Sequence, residues 1–258
     1  MISRRRRGRE FVAIFLPLCI EFIFVETRRS GPWARALRCN EFVVKNTLKG
    51  GVNVAPEKFD YTFHQGRDWK HYEVYLKRFR NNPSPILELG SGIGLFLEAC
   101  RHNGVAAVGL EYEPEGVEAA KRMGLDARQH DLGIDVPFED ASFEAVFSNQ
   151  VIEHLPPLTQ ARMISEAYRV LKPGGQVLII SPCRHYEPAR LDKYHIGLLT
   201  PSEIKAMIEA AGFVNLNMGY NRQQQIDPVL DAIIKPLFDR ERYDLLSQDA
   251  TVLAWKPI

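Results

Sequence analysis

The sequence predicts an α/β fold with a doubly wound, mostly parallel sheet of seven strands. From residue 86 onward, short apolar runs alternate with segments of helical spacing, and this alternation favours a parallel sheet with helices on both faces. The last two strands, predicted over 214–219 and 250–256, would form an antiparallel pair that closes the sheet. With 258 residues, the chain is long enough for one substantial core of this kind.

The remaining strands are predicted from apolar runs, and the helices from the segments between them. The strands lie near residues 86–90, 106–111, 126–130, 143–148 and 175–182, and the helices near residues 94–103, 114–123, 158–171 and 201–212. Right-handed crossovers bring the carboxyl ends of the parallel strands to one edge, which is where open α/β sheets bind ligands.

Two helices carry local signals of their own. The helix over 201–212 has Thr200 as a suitable N-cap, Pro201 at the first position, and an acid three residues after the cap. Before the sheet, apolar residues recur at helical spacing and predict a helix over 67–79.

The first strand of the sheet ends in a glycine-rich turn. Gly90, Gly92 and Gly94 alternate there, and Glu88 stands two residues before the first of them. Because glycine has no Cβ, such a turn lets the backbone approach a ligand closely, and the amides of the helix that follows point at it. The dinucleotide pattern G-x-G-x-x-G is not matched, since its third glycine would fall on Leu95.

Polar residues also follow the other parallel strands. Glu111 ends the second strand about twenty residues after the glycine turn, the position at which nucleotide-binding sheets hold a ribose diol. A carboxylate can accept both hydroxyl protons of a diol at once. Asp131 follows the third strand and Asn149 the fourth. The alternative for each acid is a solvated turn without a ligand.

The run from Glu88 to Gly94 resembles motif I of the class I S-adenosylmethionine-dependent methyltransferases. The chain looks closest to the methyltransferase type 11, ubiquinone-biosynthesis-like group, in which E-H-L follows the fourth strand and L-K-P-G-G precedes the fifth, here at 153–155 and 171–175. The similarity covers roughly residues 85–258. It implies a Rossmann-like doubly wound fold, S-adenosylmethionine as the cofactor, and methyl transfer as the activity.

The resemblance also implies which residues hold the cofactor, with Asp131 taking the exocyclic amine of adenine. The implied cofactor-binding residues are Glu88, Gly90, Ser91, Gly92, Gly94, Glu111, Tyr112, Asp131, Leu132, Asn149 and Gln150.

Two histidines are candidate catalytic residues. His154 follows the fourth strand, where the acceptor pocket lies in this fold, and His195 lies in the loop after the fifth. An unperturbed imidazole titrates near pH ~6.5 and suits proton abstraction from a hydroxyl. The alternative is that each histidine only hydrogen-bonds to the backbone and shapes its loop.

The acceptor is expected to be a small molecule, a lipid or a glycan precursor. The N-P-P-Y and D-P-P-Y signatures for DNA or protein substrates are absent, and residues 148–151 read S-N-Q-V instead. Residues 39–258 carry a net charge of −5, because residues 1–38 hold nine arginines and three glutamates against a total of +1. An acidic body argues against a nucleic-acid partner.

Two other functions compete with methyl transfer. An NAD-dependent oxidoreductase could use a similar sheet, although the position of Gly94 and the presence of Asp131 argue against it. A non-catalytic cofactor-binding protein would retain the glycine turn and the acids but lack an acceptor site.

Residues 1–55 are interpreted as an N-terminal arm, and residues 56–258 as the methyltransferase domain with a helical insertion at about 221–247. Five arginines precede an apolar stretch over residues 11–25. This stretch is either an interfacial membrane anchor, a helix packed on the domain, or an extension upstream of the natural start. The last two are favoured. A cytosolic cofactor indicates a cytoplasmic protein, with the cytoplasmic face of the membrane as the alternative.

The four cysteines, Cys19, Cys39, Cys100 and Cys183, include no C-x-x-C pair. This pattern argues against zinc ligation, and no metal is expected. It fits a reducing compartment.

Overall fold

The computed structural model describes residues 68–221 and 248–258, together with three short strands nearer the N-terminus. The chain divides into two units, residues 1–49 and 50–258. In the first unit, β1 (Ser3–Arg6), β2 (Arg9–Ala13) and β3 (Phe24–Thr27) pair antiparallel in chain order.

The first unit lies within the predicted N-terminal arm, residues 1–55. β2 and β3 include both ends of the apolar stretch 11–25, for which one interpretation was a helix. In the described residues, no helix combines the length and the apolar character needed to cross a membrane. Apart from Asn221, the predicted insertion at about 221–247 lies outside the described residues, as does the boundary near residue 55. The cytoplasmic location and membrane contact through residues 11–25 stay predictions.

The second unit contains one seven-stranded sheet in the order β6-β5-β4-β7-β8-β10-β9. Neighbouring strands from β6 to β8 are parallel, and β10 is antiparallel to both of its neighbours. The strands are β4 (Ile86–Leu89), β5 (Ala107–Glu111), β6 (Ala127–Gln129), β7 (Phe143–Asn149), β8 (Leu171–Pro182), β9 (Val214–Asn221) and β10 (Asp249–Trp255). The predicted fold class is confirmed.

Apart from α1, which precedes β4, the helices of this unit lie between strands of the sheet. They are α1 (Glu73–Leu76), α2 (Leu95–His102), α3 (Pro114–Arg122), α4 (Pro157–Val170), α5 (Glu187–Leu191) and α6 (Pro201–Ala210). The capping of α6 is as predicted, because the Thr200 hydroxyl accepts a hydrogen bond from the Glu203 amide and the Glu203 carboxylate accepts one from the Thr200 amide.

Two elements differ from the prediction. The helix expected over 67–79 is a 3-10 turn, Trp69–His71, followed by the short α1. The Trp69 ring stacks on His102 of α2 with centroids 4.1 Å apart, so tertiary packing overrides the helical spacing. β8 begins at Leu171, four residues earlier than predicted, because Leu171 pairs with Phe143 of β7.

The core lies on both faces of the sheet. Leu87 and Leu89 of β4 belong to one buried cluster, while Ile86 belongs to the cluster on the opposite face with Phe96 and Phe147. A central strand buried on both sides reads as a near-continuous apolar run, and β4 does so except at Glu88. The sheet is thereby fixed from both faces, and polar residues lie at its carboxyl edge.

Glu166 of α4 joins the core to the loop that precedes β7. Its carboxylate accepts a hydrogen bond from the Val136 amide at 2.7 Å and two from the Arg169 guanidinium at 2.7 and 2.9 Å. The Arg169 hydrogen bonds, aided by that of Val136, hold the pKa of Glu166 below its usual range. A carboxyl with a lowered pKa in the folded state stabilises the fold above its unfolded pKa and loses that contribution as the pH falls.

We therefore expect Glu166→Gln to lower the free energy of unfolding at pH 7 by about 1–3 kcal/mol, since hydrogen bonds to a charged group are lost. The difference from the unaltered chain should shrink as the pH falls from 7 to below 4. Urea unfolding at a series of pH values measures this, with Glu209→Gln on the exposed face of α6 as the control. A constant difference across the whole pH range would contradict the assignment.

Candidate active site

The glycine turn after β4 has the backbone geometry that its sequence predicts. Gly90, Gly92 and Gly94 have φ angles of +76°, +52° and +90°, in the region where residues with a Cβ are strained. A Cβ on Gly90 would also collide with the Val151 side chain, and one on Gly94 would lie 2.9 Å from the Cβ of Ala120. The first and third glycines are therefore required by packing as well as by conformation.

Glu111 at the end of β5 is joined directly to this turn. The Gly92 amide donates to its Oε2 at 2.7 Å, and the Glu113 amide donates to its Oε1 at 2.9 Å. The residue is buried, with 9% of its surface exposed. Each carboxylate oxygen can accept more than one hydrogen bond, so Glu111 can fix the glycine turn and still accept from the hydroxyls of a ribose.

The segment after β6 approaches the same edge. The His130 amide donates to the carbonyl of Glu111 at 2.8 Å. Asp131 is exposed, and its Oδ1 accepts from the Gly133 amide at 2.7 Å. The side chain of Tyr112 is half exposed next to Glu111, whereas Leu132 is buried in the core. Both acids and an exposed aromatic ring thus stand at the ends of two adjacent strands.

The end of β7 is tied to the strands on both sides. The Ser148 hydroxyl donates to the carbonyl of Leu89 at 3.1 Å, and the Gln150 amide donates to the carbonyl of Ile180 at 2.9 Å. Gln150 has a φ of +58°, an uncommon conformation for a residue other than glycine. Asn149 and Gln150 therefore lie at the end of the strand that neighbours β4.

Several buried polar atoms in the described residues have no hydrogen-bond partner, and they gather at this edge. They are Glu88 Oε2, Ser91 Oγ, His130 Nε2, Asn149 Oδ1 and Glu153 Oε1. Burial, and then the nearby charge of Glu111, raise the pKa of Glu88 well above its usual range. Burying polar atoms without partners is costly, so this edge has the composition of a site for a polar ligand.

The side chain of Ser91 packs against the neighbouring strand β5. Its hydroxyl lies against Gly109 of β5, where a Cβ at position 109 would collide with it. The Ser91 amide donates to the carbonyl of Leu110 at 2.9 Å. The side chain of Ser91 therefore packs the turn onto β5.

The two predicted histidines lie together, although 41 positions separate them in the chain. The centroids of the His154 and His195 rings are 4.8 Å apart. Nδ1 of His154 lies 3.1 Å from the carbonyl oxygen of Tyr194, and Nδ1 of His195 lies 2.7 Å from that of Ala189. Only a protonated nitrogen can donate to a carbonyl, so Nδ1 carries the hydrogen in each neutral ring and Nε2 carries the lone pair. Burial lowers the pKa of His154, and the adjacent His195 lowers it further.

Glu153 completes this cluster and was not among the predicted site residues. It is fully buried, and the Ser181 hydroxyl donates to its Oε2 at 3.1 Å. Burial raises its pKa to about 8. The signal in the sequence is the acid itself, which directly precedes His154 in an otherwise apolar segment.

Comparison with known proteins agrees with this geometry. Residues 87–179 match a family model described as a methyltransferase domain. The chain is 33% identical over 153 residues to a "Probable S-adenosylmethionine-dependent methyltransferase" of Mycolicibacterium smegmatis, covering 56% of this chain and 58% of that protein. It is 34% identical over 116 residues to the human "Probable tRNA methyltransferase 9B", covering 45% of this chain and 25% of that protein.

Solved structures share the fold. A SAM-dependent methyltransferase from Archaeoglobus fulgidus has a TM-score of 0.59 at 19% identity, covering 76% of this chain and all of that chain. Phosphoethanolamine N-methyltransferase 2 of Haemonchus contortus, in complex with S-adenosylhomocysteine, has a TM-score of 0.59 at 21% identity, covering 74% of this chain and 53% of that chain.

The chain spans a little over half the length of the mycobacterial relatives that it matches. The strand order, the glycine turn with its two acids, and the match to the family model agree with one another. On these grounds, the chain contains a methyltransferase domain that is similar to those of S-adenosylmethionine-dependent methyltransferases.

Proposed function

We propose that the chain transfers a methyl group from S-adenosylmethionine to a hydroxyl-bearing small molecule, lipid or glycan precursor. The observation that carries this proposal is the arrangement of the carboxyl edge. A glycine turn hydrogen-bonded to Glu111 lies beside Asp131, and buried polar atoms of Glu88 and Asn149 there have no partner among the described residues.

The residues of this edge fit the cofactor. The amides of the glycine turn can approach it closely, Glu111 can accept from the ribose hydroxyls, and Asp131 can accept from the adenine amine. Tyr112, half exposed beside Glu111, offers a flat surface to an adenine ring. When bound, S-adenosylmethionine supplies an electrophilic methyl group on a sulfonium sulfur. The protein has mainly to hold the acceptor in line, roughly 3–3.5 Å from the methyl carbon, and to exclude water.

The acceptor side is assigned to the histidine cluster. His154 lies in the 3-10 turn that follows β7, next to the glycine turn through Val151. Because Nε2 carries the lone pair in each ring, these nitrogens can either take the proton of an acceptor hydroxyl directly or bind a cation that lowers the pKa of that hydroxyl.

The segment at the end of β7 bears on the class of acceptor. It lacks the N-P-P-Y and D-P-P-Y signatures for DNA or protein substrates, which favours a small molecule, lipid or glycan precursor. The prediction that no nucleic acid is involved is not supported, because a relative is named as a tRNA methyltransferase. Transfer to tRNA is therefore the second candidate. An NAD-dependent oxidoreductase is not favoured, since Leu95 is buried where the dinucleotide pattern requires glycine.

A labelling experiment tests the proposal. The full chain is incubated with methyl-labelled S-adenosylmethionine and, separately, with a polar metabolite fraction, a lipid extract and total tRNA. The Gly92→Val variant serves as the negative control, since valine is strained at a φ of +52°. Label in the metabolite or lipid fraction is expected. Label in tRNA alone would replace the proposed acceptor, and no label in any fraction would contradict methyl transfer.

Asp131→Ala is expected to weaken S-adenosylmethionine binding by about 1–3 kcal/mol, because the adenine amine would lose its acceptor. Asp126→Ala is the matched control, since Asp126 is exposed and precedes β6, whereas Asp131 follows it. Isothermal titration calorimetry on both variants measures the effect. Equal affinities would remove Asp131 from the cofactor site.

A further inference from the structure

Glu153, His154 and His195 form a cluster in which one potential ligand atom from each residue lies within 4.8 Å of the other two. Building on the proposed methyl transfer, we infer that these three side chains bind one divalent transition-metal cation beside the acceptor. The sequence predicts no metal, because the cysteines lack ligand spacing. This cluster depends on a contact between two distant segments.

The buried carboxylate of Glu153 is the first feature that favours a cation here. Glu153 is fully buried, and its Oε2 accepts from the Ser181 hydroxyl. Its other oxygen, Oε1, has no hydrogen-bond partner among the described residues, and it lies 3.9 Å from Nε2 of His154. That separation is too long for a hydrogen bond. A pair of histidines acting only as bases would not need a buried carboxylate oxygen aimed beside them.

The second argument is that the protein already orients all three side chains. Each histidine ring is held through Nδ1 by a backbone carbonyl, that of Tyr194 for His154 and that of Ala189 for His195. Metal-binding histidines typically donate their other ring N–H to such a group, and ligating carboxylates are themselves hydrogen-bonded. The Ser181 hydroxyl plays that part for Glu153.

The loop that carries His195 is fixed against the turn that carries the other two residues. The Gly197 amide donates to the carbonyl of Glu153 at 2.8 Å. The Gln160 side-chain amide bridges the carbonyls of Ile152 and Gly197 at 2.8 and 2.6 Å. The cluster therefore rests on backbone hydrogen bonds, and it is not a chance approach of mobile side chains.

The donor set indicates the kind of cation. Two imidazoles and one carboxylate suit Zn²⁺, Mn²⁺, Fe²⁺ or Co²⁺ and leave positions open for another ligand. Bonds of about 2.0–2.2 Å require the side chains to draw closer together than they are here. Asp192 is a further carboxylate nearby, with Oδ2 3.8 Å from Nε2 of His195.

A cation here would lower the pKa of an acceptor hydroxyl bound at an open position. The hydroxyl proton would leave to solvent, the oxygen–methyl bond would form, and the sulfur–methyl bond would break. No atom of the protein and no cation changes its oxidation state in this reaction. The acceptor class is thereby narrowed to hydroxyl-bearing compounds.

Titration with Co²⁺ alone tests the inference. The full chain is first treated with a chelator, then titrated while its visible absorption is recorded and its binding heat is measured in parallel. One equivalent of Co²⁺ should bind with the absorption bands of a nitrogen- and oxygen-ligated ion. Glu153→Gln and His195→Ala should each weaken binding at least roughly 10-fold. His185→Ala, which removes an exposed histidine from the segment before α5, should leave Co²⁺ affinity unchanged.

No saturable binding to the unaltered chain, or undiminished affinity in both variants, would overturn the inference. Binding of S-adenosylhomocysteine by each variant shows that it is folded. If Glu153→Gln fails this check, His195→Ala decides the outcome. Methyl transfer without Co²⁺ binding would support the proposed function and refute the metal site. Co²⁺ binding without methyl transfer would support the metal site and refute the proposed function.

Discussion

The Glu111→Ala variant is expected to bind S-adenosylmethionine roughly 100-fold more weakly than the unaltered chain, which corresponds to about 3 kcal/mol. Two effects add up. The ribose hydroxyls lose their acceptor, and the amides of Gly92 and Glu113 lose the carboxylate that holds the glycine turn. The affinity of Glu111→Gln should lie between those of Glu111→Ala and the unaltered chain, because the oxygen of the glutamine side chain can still accept a hydrogen bond. Calorimetric titration of the three proteins measures the series.

Glu118→Ala is the matched control for this series. Glu118 lies on the exposed face of α3, and its contact with Arg122 is a long surface ion pair of 4.0 Å. Its removal should leave cofactor affinity unchanged. Equal affinities for Glu111→Ala and Glu118→Ala, with both proteins folded, would show that Glu111 has no part in the cofactor site.

The His154→Ala variant is expected to lose roughly 10²- to 10⁴-fold in kcat, the range for a group that assists removal of the acceptor proton, either as a base or as a ligand of the inferred cation, while its affinity for S-adenosylmethionine stays the same. The ring lies on the acceptor side of the glycine turn, where the Tyr194 carbonyl holds it and the tilted ring of His195 packs against it. Turnover and cofactor affinity are measured separately, the first with the acceptor fraction that takes up label.

His185→Ala, which removes an exposed histidine, controls for a general effect of losing an imidazole and should retain full turnover. An unaltered kcat in His154→Ala would return this residue to a structural role. A fall in both kcat and cofactor affinity would mean that the ring supports the glycine turn and does not act on the acceptor.

The fold was predictable because its signals are local in the chain. β4 is apolar except at Glu88 and is followed directly by the glycine turn, and α6 carries its capping residues beside it in sequence. Where tertiary contacts decide, the prediction was wrong. The short α1 follows from packing of the preceding turn on α2, and the early start of β8 follows from pairing of Leu171 with Phe143.

The same distinction applies to the site. The acids at strand ends could be predicted because parallel strands bring their carboxyl ends to one edge. The hydrogen bond from the Gly92 amide to Glu111 could not be predicted, since it depends on where the folded turn lies relative to the end of β5. The contact of His195 with Glu153 and His154 depends on the path of the chain after β8, and no spacing in the sequence indicates it.

The most direct test of the central claim is calorimetric titration of the full chain with S-adenosylmethionine, S-adenosylhomocysteine and NAD. Saturable binding of the first two at one site, with no heat from NAD, is the expected result. Binding of NAD alone would contradict the assignment of the glycine turn and of Asp131, and binding of none of the three would contradict the cofactor site as a whole.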